Sequence, residues 1–151
     1  MNKSSMWSAG VVVGTLFGLL ASTTRAEQRV YWCDGSAIPA SMDRVNLDGV
    51  ALETFVTTPC FGHPVVDAIF TRDLFFVDAP SGNNINRVSV DGGAVSGFIT
   101  FAGNTITGLT LEPGVNGPMY FVGNAGGTGS IWRANLDGTN ITFIRNTASF
   151  V

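Results

Sequence analysis

The side chains able to do chemistry in this 151-residue chain are few and scattered. It has one histidine, His63, in the turn-rich stretch 57–64. A general base or metal ligand needs partners at ligand spacing. The nearest acids, Asp67 and Asp73, form no such cluster, so an ordinary loop histidine is expected. Asp34, Asp48, Asp78, Asp91 and Asp137 recur along the chain and could suggest calcium. A calcium loop gathers several carboxylates within about a dozen residues. Here they come singly or in twos at strand ends and turns, so roles in turns and between neighbouring units are expected. The glycine-rich run 123–129 (GNAGGTG) is followed by neither a helix nor a Lys-Ser/Thr pair, so it makes no phosphate loop. It reads as the loop between the first and second strands of its unit. Gly-x-Ser-x-Gly, His-Glu-x-x-His and Cys-x-x-Cys motifs are all missing. No catalytic residue, metal site or cofactor is therefore expected, although a site assembled from scattered loop residues would leave no motif.

The elements that would position these groups follow from composition. Apolar residues make up 45% and charged residues 13%, which argues against a disordered chain. Nineteen glycines and six prolines suggest many turns rather than long helices. Residues 1–26 read as a cleaved export signal. Lys3 supplies its positive start, 9–21 its apolar run, and Thr24-Arg25-Ala26 small residues at the cleavage positions. Thirteen apolar and small residues are too few for a span of about 20. The mature chain, 27–151, is then secreted or periplasmic, with no membrane span. It keeps six arginines against eleven acids, a balance that argues against nucleic acid. Its only cysteines are Cys33 and Cys60. Export favours a disulfide between them. Placing Cys60 after the first unit's last strand puts the two strand ends roughly 10 Å apart, whereas a bridge needs Cα atoms within about 7 Å. Bonded and free thiols both stand. Asn140-Ile141-Thr142 is a glycosylation sequon only in a eukaryotic source.

The main signal is an internal repeat of about 44 residues. Each unit opens on an aromatic pair: Tyr31-Trp32, Phe75-Phe76 and Tyr120-Phe121. Eleven or twelve residues further stand Arg44, Arg87 and Arg133. Four residues past each arginine comes a turn: Asp48-Gly49, Asp91-Gly92 and Asp137-Gly138. Then follow Phe55-Val56, Phe98-Ile99 and Phe143-Ile144. The aromatic and β-branched runs 30–34, 74–78 and 119–123 read as inner strands buried on both faces. Segments 42–47, 86–90 and 131–136 form a second set, and the Asp-Gly pairs supply the φ > 0 residue of tight hairpin turns. Segments 65–70 and 106–111 precede the second and third units. None carries helical periodicity, so the fold class is all-β.

Tyr31-Trp32-Cys33-Asp34 and 43–49 (DRVNLDG) resemble the low-density-lipoprotein-receptor class B repeat, or YWTD repeat. The stretch 131–140 (IWRANLDGTN) is closer still to the pattern I-x-R-A-N-L-D-G-S-N. The resemblance covers about 30–144 and implies a partial β-propeller of three four-stranded antiparallel blades, about 27–60, 61–103 and 104–151. The first blade lacks its innermost strand, giving eleven strands in all. That family forms six-bladed propellers. It implies that the recurring aspartate and arginine are structural, tying strands and neighbouring blades together. Cys33 stands where the family has Thr, and Gly123 where it has Asp, which puts the third unit's network in doubt.

The resulting expectation is an exported, non-catalytic binding module for a protein or glycan. It is either a C-terminally truncated propeller or a half-propeller that self-associates through exposed terminal blades. The alternative is the N-terminal half of a secreted or periplasmic propeller enzyme, a lactonase-like hydrolase or lyase, with its active-site residues in further blades.

Overall fold

The computed structural model describes residues 28–34, 40–67, 71–79, 81–114, 117–125 and 128–147. The leader expected at 1–26 falls outside them. The described residues form strands, turns and connections, without helix.

Three antiparallel meanders follow one another along the chain. Sheet one is β1 (Arg29–Asp34), β2 (Ser41–Asn46) and β3 (Glu53–Val56). Sheet two is β4 (Cys60–Asp67), β5 (Asp73–Asp78), β6 (Asn84–Ser89) and β7 (Ser96–Thr100). Sheet three is β8 (Thr105–Leu111), β9 (Met119–Ala125), β10 (Thr128–Ala134) and β11 (Thr142–Asn146). The Asp-Gly turns close the last hairpin of each sheet, and Gly49, Gly92 and Gly138 take φ of 77°, 97° and 81°. Only glycine adopts that region without steric cost.

The sheets pack face to face in chain order. On β5, Leu74 and Phe76 join Met42, Val56 and Cys60 in one buried cluster. The alternate residues Phe75 and Val77 join Ile85, Ile99, Met119 and Phe121 in a second. Sheet two is thus buried on both faces, which is why 74–77 reads as a continuous apolar run rather than an alternating one.

A bulge recurs at one place in each sheet, after Met42, Ile85 and Ile131. In sheets one and two the extra residue is Phe55 and Phe98, so that an adjacent pair, Phe55-Val56 or Phe98-Ile99, joins one core. A regular strand would send the two to opposite faces. Sheet three departs from the expected alignment. Ile131 pairs with Arg145 and Trp132 with Phe143, so Ile144 is the extra residue. One residue fewer between Asp137 and Phe143 than between Asp91 and Phe98 slips the strand by one.

Two further expectations are corrected. The segment expected at 65–70 begins earlier, at Cys60, and Phe70 lies outside the described residues. Pro64 is accommodated because β4 is an edge strand with a register shift between Phe61 and Val65. The glycine-rich run joins β9 and β10, the first and second strands of its unit as expected, but most of it is strand rather than loop. Its ends pair within the β9–β10 hairpin, Gly123 with Ser130 and Asn124 with Gly129.

Candidate interaction surface

The recurring residues define two faces on every sheet. The front meets the next sheet in chain order, and the rear meets the preceding one. Front positions of sheet one hold Tyr31, Cys33, Met42, Arg44 and Phe55. Cross-strand pairs Tyr31–Arg44 and Cys33–Met42 put them on one side. The same positions hold Phe75, Val77, Ile85, Arg87 and Phe98 in sheet two. In sheet three they hold Tyr120, Val122, Ile131, Arg133 and Ile144. Rear positions hold Val30, Trp32, Val45 and Leu47, then Leu74, Phe76, Val88 and Val90, then Met119, Phe121, Ala134 and Leu136.

Within the chain this gives two front-to-rear junctions, and both use the same devices. The turn glycine of one sheet lies against the bulged phenylalanine of the sheet before it. A Cβ on Gly92 would sit 4.0 Å from the Phe55 ring, and one on Gly138 3.4 Å from the Phe98 ring. The front ring pairs repeat too: Tyr31 and Phe55 centroids lie 5.4 Å apart, Phe75 and Phe98 4.9 Å.

The arginines stand where the repeat places them but differ in partners. Arg44 donates Nε to Glu53 at 2.7 Å, lies over the Phe55 ring, and donates Nη1 to the Val90 carbonyl of sheet two at 3.0 Å. Arg87 stays on its own sheet, with Ser96 Oγ at 3.3 Å, Asp73 at 3.9 Å and the Phe98 ring. Arg133 is exposed and has no hydrogen-bond or ion-pair partner among the described residues.

The aspartates act locally. Asp78 accepts from Ser81 Oγ at 2.7 Å and from Asn84 Nδ2 at 3.3 Å, pinning the β5–β6 turn. Asp48 accepts from the Val50 amide, and Asp91 pairs with Arg72. Asp137 accepts from both the hydroxyl and the amide of Thr139, which hold its carboxyl below the ordinary carboxylate value. At Gly123, where the resemblance implies aspartate, Phe101 occupies the space. A Cβ there would lie 2.6 Å from that ring, itself packed on Phe121 and Trp132.

Cys33 and Cys60 are bonded, with Cα atoms 5.5 Å apart. The 10 Å expectation placed Cys60 at the end of sheet one. It opens β4 instead, so the bond joins sheet one to sheet two. His63 is exposed in β4 beside Gly62 at φ 73°, rather than in a loop. Among the described residues no group of three His, Cys, Asp or Glu gathers as a metal site.

The surfaces left over are the front of sheet three and the rear of sheet one. Positions that are buried (Leu74) or half-buried (Val90 and Phe98) in sheet two are open here: Val30 is 46% exposed, Leu47 62% and Ile144 44%. On the front of sheet three, Thr110, Tyr120, Val122 and Ile131 line an apolar hollow of about 380 Å³. Tyr120 donates its hydroxyl to Glu112 at its edge. Sequence motifs included Val30, Leu47, Ile131 and Ile144 as strand or repeat residues but did not mark them as surface residues. Position-by-position alignment of the three units identifies the first three, and the slipped register of β11 identifies the last.

No family model matches the chain, and no curated protein matches it. Among the described residues no helix is long and apolar enough to cross a membrane.

Proposed function

We propose that the chain is an exported, non-catalytic binding module built from β-propeller blades of YWTD-like type. One observation supports this most: the same front-to-rear junction recurs between successive antiparallel meanders of three, four and four strands, as it does between stacked blades. A blade buries its two faces on neighbours and leaves its connecting loops as the recognition surface. The ligand class on this reading is a secreted protein or a glycan. The Cys33–Cys60 bond fits an oxidising compartment.

The test is a binding and turnover comparison on the chain recovered after export. Saturable binding to members of an immobilised glycan and secreted-protein panel is expected, with no turnover of lactone or ester substrates. Lactone hydrolysis by the purified chain, or no saturable ligand across the panel, overturns the reading.

A further inference from the structure

We propose that the front of sheet three is the docking site for the rear of sheet one of a second copy of this chain, two copies closing on each other through both contacts. The inference rests on the blade reading above, and deepens it by naming the partner of the open faces.

The chain itself shows which surface fits which. Wherever a front is covered, it is covered by a rear, and the repeat carries the same positions to both open ends. Phe121 belongs to the buried cluster of the second junction, to which sheet two's front contributes Phe75, Val77 and Ile85. Trp32 holds Phe121's position in sheet one, and Tyr120, Val122 and Ile131 hold those of the three front residues. Those three line the hollow on sheet three, so Trp32 of the second copy is the group that fills it. Leu47 takes the place of Val90 and Leu136, each of which packs on the preceding sheet. Gly49 has nothing within 4 Å of a built Cβ, whereas Gly92 and Gly138 each meet a bulged phenylalanine. The missing neighbour of Gly49 corresponds to Ile144. Arg133, without a partner in one copy, is offered the Leu47 carbonyl of the other, as Arg44 takes the Val90 carbonyl within the chain.

Charge agrees with this pairing. Arg145 pairs with Ile131 and so occupies the position of Ile99, a member of the buried cluster against which Trp132 also packs. Trp132's position in sheet one is Asp43, which pairs with Trp32 on the rear. The contact therefore brings Arg145 of one copy to Asp43 of the other. A front that meets a rear is a head-to-tail contact, which either closes or runs on as a filament. Two copies leave neither face open.

The experiment is light scattering on the full chain, purified after export, with four single variants at exposed or half-exposed positions and one double variant. A dimer is expected for the wild type. Leu47→Glu on the rear and Ile144→Glu on the front should each give a monomer. Arg145→Asp and Asp43→Arg should each weaken the dimer, and the two together in one chain should restore it. A folded wild-type monomer, an open series of growing masses, or dissociation by only one of the two glutamate variants overturns the proposal. The last result would mean that like faces pair. Retained strand circular dichroism and slow amide exchange in β5 and β6 of a monomer would leave the blade reading standing. Their absence would remove that reading as well.

Discussion

At the scale of single residues, the carboxylates and glycines explain local geometry rather than chemistry. Asp137 shows the electrostatic side of this local geometry. Its carboxyl is held low by hydrogen bonds from the Thr139 hydroxyl and amide. A folded value below the unfolded one favours the fold above the unfolded pKa. That contribution is lost as pH falls through the folded value. Thr139→Val removes the hydroxyl and keeps the amide. The Asp137 carboxyl, followed by carbon-detected NMR titration, should then rise part of the way to the ordinary value. Gly123 gives a steric counterpart. Its Cβ would collide with Phe101, whose ring is confined by Phe121 and Trp132. Gly123→Ala should cost about 1–3 kcal/mol by denaturant titration, the usual range for overpacking. Gly97→Ala, with open space at that atom, should be close to neutral.

At the scale of elements, the junctions carry the stability. Phe75 and Phe76 are adjacent on β5 and fully buried in different clusters, so each ring holds one junction. Truncation of either to alanine should cost about 3–5 kcal/mol, measured as a fall in the urea midpoint. The disulfide reinforces the first junction across a sequence separation of 27. At the second junction, the positions of Cys33 and Cys60 belong to Val77 and Ile106, both buried in one core. The covalent bond thus stands where an apolar contact serves elsewhere. The double variant Cys33→Ser and Cys60→Ser should remain folded and lose roughly 2–4 kcal/mol. Loss of strand circular dichroism in that variant would show that the apolar part of the first junction cannot hold alone.

At the scale of the whole molecule, burial is concentrated in the middle. Sheet two is covered on both sides, and sheets one and three on one side each. Amide exchange should rank accordingly, with β5 and β6 slowest and β11 among the fastest, because all five residues of β11 are exposed. Exposed apolar faces of this kind mark association surfaces in soluble proteins. On the proposed pairing, protection should rise in β1, β10 and β11 as concentration increases and stay unchanged in β6.

The amino-acid sequence by itself determined the strand count, the all-β class and the turns. Those depend on local chemistry: β-branched and aromatic runs, and glycine where φ must be positive. It also carried the repeat, because each unit needs the same apolar residues at the same two faces. Only the tertiary structure decided the rest. The partner of Cys33 depended on which sheet Cys60 joins, a choice that local spacing between sheets cannot make. The bulge made Ile144, not Phe143, the counterpart of Phe55 and Phe98, because register is set by cross-strand pairing rather than by residue type. Open terminal units were expected from the repeat, but which residues line their faces became visible only once burial in sheet two showed what the same positions do when a neighbour is present.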